Sequence, residues 1–311
     1  MRSARLDWIR VFAGFWVVLF HSALAYEKYL GNSSNILGIS FFKEGHSGVA
    51  LFYSLSGYLI SSQIFQGEVN VISFIVKRIR KLFPLYYFLT LAFFVLAACG
   101  FFPINSNPSL GDLIRSILFI QTLGFSHSPV LYVGWSLEYE VLFYTFVAMS
   151  LLTRWPSIAL LFSVGLLSLH SPLIFLPFLF GIFCAIVTNG HQIKWRYMTL
   201  ALPLSCIILY GFIEGNWVVL LLMGLFLYLP DRFVFGSKLA KIFSDATYSI
   251  YLVQVFTIPI FFKYVHLGLC GVDIFIAFLG TVLVGVLCYL VLERNFSKIF
   301  DRLLTFSINR L

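Results

Sequence analysis

Charge is what this sequence of 311 residues has least of: 11% are Asp, Glu, Lys or Arg, against about 25% in a soluble domain. A soluble chain of this length needs polar residues to cover its core, so a soluble globular enzyme is excluded. Cysteine is sparse and unpatterned. Cys99, Cys184, Cys206, Cys270 and Cys288 are scattered, with no CxxC and no Cys/His metal spacing. A disulfide framework and a structural metal site are therefore not expected, and the thiols read as small buried hydrophobes. There is no internal repeat, no low-complexity tract and no polar stretch long enough for a soluble domain, so 1–311 reads as one transmembrane domain without a soluble C-terminal one. The formal charge of +8 does not signal nucleic acid, because no basic patch stands beside a soluble fold.

Apolar residues make up 60% of the chain and aromatics 19%, with 36 Phe and 16 Tyr. Stretches long enough to cross a bilayer fall at 7–27, 47–66, 82–102, 134–153, 156–169, 172–188, 197–213, 216–230, 243–263 and 271–292. The expectation is an all-α integral membrane protein of about ten transmembrane helices in the lipid bilayer, with both termini cytoplasmic. That orientation places 17 of the 21 Lys and Arg on inner segments and 4, Lys28, Lys43, Arg115 and Lys263, outside. The long connection 103–133 contains Leu110–Leu123, apolar enough to lie in the interface or re-enter. The first stretch imitates a secretory signal, with basic residues, the run Val11–Phe20 and Ala23-Leu24-Ala25. It is read as a span, because losing it would break the even count that the charges support.

Ionisable residues inside spans are costly and mark function by default. Arg10 and His21 lie eleven residues apart in the first span. At 100° per residue they share one stripe with Gly14 and Val17, and are separated by about 16 Å. Glu140 sits six residues into the fourth span, about 9 Å below the outer edge, which matches the depth of His21. A carboxylate beside an imidazole fixes its tautomer and raises its basicity, the preparation a general base needs. Glu138 is 200° around the helix from Glu140 and is expected at the outer interface. Ser54, Ser56 and Gly57 in the second span permit close helix approach, and their hydroxyls suit a polar cavity. Lys77, Arg78, Arg80 and Lys81 precede the third span, either as a positive-inside anchor or as a phosphate-binding run. His46, His127, His170, His191 and His266 fall in or near connections and receive no role.

These pieces together resemble acyltransferase family 3, the integral membrane acyltransferases, and in particular its exopolysaccharide and lipopolysaccharide O-acetyltransferase branch. The resemblance is carried by Arg5-Leu6-Asp7-Trp8-Ile9-Arg10 followed by His21, Gly48-Val49-Ala50-Leu51-Phe52 with Leu55-Ser56-Gly57, and the basic run ending in Pro84. It continues through Trp135-Ser136-Leu137-Glu138-Tyr139-Glu140 with Phe143-Tyr144, then Tyr248-Ser249-Ile250-Tyr251-Leu252, and ends at Glu293-Arg294. It implies His21 as catalytic base, Arg10 as the essential arginine and Glu140 as the motif acid, with Arg78 at one basic position. Ser56, Trp135, Glu138 and Lys81 are the further substrate-binding candidates. Three positions depart from the pattern: Lys81 where arginine is common, Gln254 where histidine is frequent, and Asn295 where proline usually follows Glu-Arg.

The implied activity is transfer of an acyl group, most simply acetyl, from acyl-coenzyme A to a glycan or lipid-linked glycan hydroxyl. It would take place in a bacterial cytoplasmic (inner) membrane with no tightly bound cofactor. Self-association as a homo-oligomer is compatible with this reading. The rival is a transporter or channel in which Arg10, His21 and Glu140 form a relay. No inverted repeat and no paired broken helices favour it.

Overall fold

A computed structural model of the chain describes residues 4–31, 44–67, 69–101, 108–125, 127–189 and 238–308. Among them every regular element is helical. The order is α1 (Ala4–Leu30), a 3₁₀ turn (Glu44–Ser47), α2 (Gly48–Phe65), α3 (Val71–Ala98), α4 (Leu110–Ile117), α5 (Gln121–Phe125) and α6 (Gly134–Leu151). Then come α7 (Pro156–His170), α8 (Pro172–Asn189), α9 (Lys238–Tyr264), α10 (Cys270–Cys288), a π turn (Tyr289–Glu293) and α11 (Arg294–Ile308).

Five helical stretches among the described residues are long and apolar enough to cross a membrane: Ala4–Leu30, Gly48–Phe65, Val71–Ala98, Lys238–Tyr264 and Cys270–Arg302. Helices α6, α7 and α8 coincide with three more of the ten expected spans, while 197–213 and 216–230 lie outside the described residues. Two expected boundaries move. The third helix begins at Val71, eleven residues before the expected start of its span at 82, so the four cations lie within its early turns instead of a loop. Helix geometry carries on through Pro84, which has no N–H to give the Arg80 carbonyl. The last span was ended at 292, yet the π turn leads directly into α11.

Two compact units divide the chain. The first is drawn from Met1–Ala13, His46–Ile75 and Glu140–Lys241, the second from Gly14–Gly45, Val76–Tyr139 and Ile242–Leu311. In the first, α2 and α8 meet backbone to backbone. A Cβ on Gly57 would strike the Phe178 carbonyl oxygen, and one on Gly181 would strike that of Ser54. This contact absorbs half of the small-residue run: Ser54 and Gly57 serve helix approach. Beside it Phe178, fully buried, stacks on Tyr53 at 4.3 Å and on Phe143 at 4.2 Å.

The core of the second unit joins Val18, Ala23 and Tyr26 of α1 to Ala246, Ile250, Ile258 and Phe262 of α9 and Ile274, Ala277 and Val282 of α10. Phe15 adds edge contacts to Phe243 at 5.6 Å and Phe278 at 5.3 Å. The apolar run that imitates a signal peptide therefore packs as part of a helical core. Along another face α3 runs beside α11, through Arg80–Asp301 at 2.7 Å and Phe88–Phe296 at 5.6 Å.

The connection 103–133 holds the second unit's most specific local structure. Ser109 and Asp112 form a reciprocal capping box at the start of α4. Its end is a Schellman turn, with Ile120 N–H donating to Arg115 O and Phe119 N–H to Ser116 O. The left-handed position is filled by Phe119 at φ 57° where glycine is usual. That conformation costs about 1–2 kcal/mol. It is offset by burial of the Phe119 ring against Tyr86 at 4.8 Å and Phe83 at 5.1 Å. Leu110, Ile114 and Leu118 are left exposed one turn apart, a stripe suited to the membrane interface.

Candidate functional site

The first functional pair sits on one unbroken helix. Arg10 and His21 both belong to α1, so the stripe expected from their spacing exists in the backbone. Near the start of α1 the Arg10 guanidinium turns back toward buried Asp7, at 3.5 Å. His21 is half-buried, with Phe20 edge-on at 5.1 Å and Tyr132 at 5.4 Å with the planes at 65°.

Ser56 and Glu140, both taken from the sequence as site residues, are brought together. Ser56 Oγ donates to Glu140 Oε1 at 3.2 Å, and the Tyr144 hydroxyl donates to the same oxygen. Tyr144 is one turn along α6 from Glu140, and Phe74 meets its ring at 5.8 Å. The hydroxyl half of the small-residue run thus faces a carboxylate while the glycine half faces α8.

Glu138 is elsewhere, and its expected place at the outer interface is corrected. Its side chain is fully buried and accepts from Thr122 N–H at 2.7 Å, Gln121 N–H at 3.2 Å and Leu123 N–H at 3.3 Å. These are the opening amides of α5, which have no carbonyl partner inside that helix. Glu138 therefore ties the connection before α6 to α6 itself. A network from Arg115 to Gln121 (2.7 Å), Gln121 to Asp112 (2.9 Å) and Arg115 to Asp112 (2.7 Å) stiffens the same connection. Trp135 is partly exposed at the start of α6, edge-on to Tyr139 at 6.3 Å.

Two stretches that carried the resemblance meet next to it. The Tyr251 hydroxyl lies 2.7 Å from Ser136 Oγ and donates to the Val133 carbonyl at 2.9 Å. Ser136 Oγ donates to the same carbonyl at 3.1 Å. At the other end of this short segment Val130 N–H donates to Ser116 Oγ at 2.9 Å. Between the two pins, Leu131 and Val133 are buried while Tyr132 is 37% exposed, and it is Tyr132 whose ring meets His21. Gln254, one turn beyond Tyr251, is fully buried and donates its amide to the Tyr251 carbonyl at 2.9 Å.

The basic run is split by the helix that carries it. Arg80 pairs with Asp301, Arg78 is half-buried, and Lys81 is exposed within electrostatic range of Glu293. Glu293 lies in the π turn and accepts from fully buried Ser249 Oγ at 2.5 Å. Asn295, where the family pattern has proline, donates its side-chain amide to the Val291 carbonyl at 2.7 Å. Among the described residues no group of His, Cys, Asp and Glu is arranged to hold a metal ion.

Sequence reasoning missed Tyr132 as a ring contact of His21, and Tyr144, Ser249 and Tyr251 as polar partners of the named residues. The helical spacing of Tyr144 from Glu140 was a usable signal. The other three are joined by tertiary contacts that no local pattern encodes.

The comparisons with known proteins bear on what this arrangement serves. The model of acyltransferase family 3, described as an acyltransferase domain, matches residues 3–292. The exopolysaccharide production protein ExoZ of Rhizobium meliloti (strain 1021) is 28% identical over 285 residues, which cover 81% of this chain and 90% of that protein. "Putative acetyltransferase ORF330" of Acidianus two-tailed virus is 29% identical over 147 residues, 46% of this chain and 39% of that one. No solved structure matches the chain. Apolar helices, an arginine and a histidine on the first of them, and a family match along nearly the whole length lead to one conclusion: the chain belongs to acyltransferase family 3 and is a multi-pass membrane acyltransferase.

Proposed function

We propose that the protein is an O-acyltransferase that moves an acetyl group from acetyl-coenzyme A to a hydroxyl of a cell-surface glycan or its lipid-linked precursor. The reaction takes place in the bacterial inner membrane, with both termini cytoplasmic. The observation that carries this reading is α1, one unbroken helix bearing Arg10 and His21 on a common stripe in a chain matched by the family from residue 3 to residue 292. The name of the Rhizobium relative, tied to exopolysaccharide production, supports a glycan acceptor.

A sugar hydroxyl is a poor nucleophile at neutral pH, so its proton must leave as it attacks. His21 takes that proton while the hydroxyl oxygen forms a bond to the thioester carbonyl carbon. The tetrahedral centre then collapses, the carbon–sulfur bond breaks, and the imidazolium returns its proton to the departing thiolate. Products are the acetyl ester and free coenzyme A, and His21 regains its neutral form. Arg10, Arg78 and Lys81 supply the cations for the donor's phosphates, with arginine the stronger partner because its fork matches a phosphate edge. Glu140 is the acid of the motif, and Ser56 and Tyr144 hold its carboxyl in one orientation.

The test is a transfer assay with the purified protein in nanodiscs, acetyl-labelled acetyl-coenzyme A and a panel of glycans. Wild type should release coenzyme A only with a glycan present and leave label on the glycan as an ester. His21→Ala should lower kcat by about 10²–10⁴-fold at unchanged abundance and donor binding. Near-normal turnover in that variant would reject the base assignment. Release of coenzyme A by no glycan tested would reject the glycan acceptor.

A further inference from the structure

Tyr132 is the one residue of the segment Val130–Val133 that is not buried, and everything around it is arranged to hold its backbone still. Val130 N–H is given to Ser116 Oγ at 2.9 Å, and the Leu131 carbonyl accepts from Gly134 N–H at 2.8 Å. The Val133 carbonyl accepts from Tyr251 at 2.9 Å and from Ser136 at 3.1 Å. Leu131 and Val133 are 0% and 1% exposed on either side of a tyrosine that is 37% exposed. An aromatic ring in a membrane-interface belt needs no such fixing, since it gains from either side of the headgroup level in many orientations. A ring that must present one face to a ligand does need it, because ordering it only on binding costs affinity. The direction of the ring is also given: it meets the His21 imidazole at 5.4 Å, with the two planes at 65°.

We propose that Tyr132 is the acceptor-binding platform of the site: the exposed face of its ring receives the apolar C–H face of a pyranose and brings one of that sugar's hydroxyls to His21. The inference rests on the reading of His21 as the base, and adds what lies on its other side. A sugar ring carries axial C–H groups on one face and hydroxyls around its edge. Stacking that face on an aromatic surface buries apolar area while leaving the hydroxyls free for hydrogen bonds and for reaction. A ring in edge contact with the base is near enough for the edge hydroxyl of a stacked sugar to reach the imidazole. Tyr251 and Ser136 act through this segment as positioning residues, which gives those two stretches of sequence a common purpose. The ligand class is thus a six-membered sugar with an unsubstituted hydroxyl next to an apolar face, and a simple alcohol lacks the feature that Tyr132 reads.

The experiment compares two acceptors with acetyl-coenzyme A in nanodiscs: methyl β-glucopyranoside, which has a ring face, and n-butanol, which has a hydroxyl and none. Tyr132→Leu should raise the sugar's KM about tenfold or more while leaving kcat/KM for butanol and KM for acetyl-coenzyme A within about twofold. Tyr132→Phe keeps the ring and should stay near wild type with both. Tyr251→Phe loosens one pin and should raise the sugar's KM by a smaller factor, with butanol unaffected. Tyr264→Leu removes a well-exposed aromatic at the outer end of α9 and should change nothing. Equal losses on sugar and butanol in Tyr132→Leu would overturn the platform, since the ring would then only prop His21. An unchanged KM for the sugar would overturn it as well. Wild type that releases coenzyme A with neither acceptor would overturn the glycan-acceptor reading, and the platform with it.

Discussion

Replacing either glycine between α2 and α8 by alanine tests how the first unit is held together. A methyl group on Gly57 would overlap the Phe178 carbonyl oxygen, and one on Gly181 would overlap the Ser54 carbonyl oxygen and crowd the Tyr58 amide. Backbone atoms have no rotamer by which to withdraw, so the helices must part. Overpacking of this kind costs about 1–3 kcal/mol. At Gly165, inside α7, an added Cβ meets nothing within 4 Å, and alanine there should gain about 0.5–1 kcal/mol from the entropy glycine loses in a helix. The two kinds of variant should therefore differ by about 1.5–4 kcal/mol, roughly a ten- to several-hundred-fold difference in folding equilibrium. SDS titration of protein in dodecyl maltoside, followed by near-UV circular dichroism, measures it. Gly57→Ala and Gly181→Ala should each lower the midpoint and Gly165→Ala should raise it. The double variant should lose less than the sum, because the first methyl has already separated the helices. Equal midpoints for Gly57→Ala, Gly181→Ala and Gly165→Ala would refute the contact.

Glu138→Ala leaves three amides at the start of α5 without their acceptor, at about 1–3 kcal/mol for each that stays buried. The expected outcome is faster hydrogen exchange across 121–125 with donor binding intact. The Asp112 carboxyl is held well below the usual carboxylate range, first by the Ser109 hydroxyl and backbone amide and further by Arg115 and Gln121. A depressed folded-state value stabilises above the usual carboxylate range and fades as pH falls through the lowered one. Exchange protection of α4, corrected for intrinsic rate, should be flat from about pH 8 to about pH 5 and fall only below about pH 4, and Asp112→Asn should abolish that acid dependence. Single cysteines at Asn32 and Asn107 in a cysteine-free background should react with an impermeant thiol reagent in intact cells and one at Glu68 should not; the reverse pattern would invert the topology.

Much of the fold was legible because a bilayer restricts what a sequence can say. Apolar length marked α1 to α3 and α6 to α10, though not α5, α11 or the early start of α3, and a period of 3.6 put Arg10 and His21 on one stripe. The small-residue run was legible only in part. Spacing announced close approach at Gly57, but nothing local told Ser54, which faces the contact with α8, from Ser56, which turns to Glu140. Glu138 was misplaced for a related reason. The angle between it and Glu140 was right, but the object on its far side, the start of α5, is built from residues in a different connection. The capping box at Ser109 and Asp112 was there to be read three residues apart. The left-handed Phe119 was not, because its conformation is held by tertiary stacking on Tyr86 and Phe83 against its own preference.

The π turn at Tyr289–Glu293 sets the phase of the last membrane helix. Winding one residue more than an α-helix would, it offsets everything after it by about 100° and 1.5 Å. On the near side of that offset α10 presents Gly285 to Ile250, and on the far side α11 presents Phe296 to Phe88 and Asp301 to Arg80. A uniform α-helix could keep one of these alignments but not both. The turn acts as a vernier that lets a single continuous helix mesh with α9 along one part of its length and with α3 along the next. Deleting Val291 would close the turn into α-helix and keep both alignments, since the residue removed is the one the turn accommodates, whereas inserting a second residue there would rotate Asp301 away from Arg80 and unlatch the N-terminal part of α3 while leaving the contact at Gly285 in register.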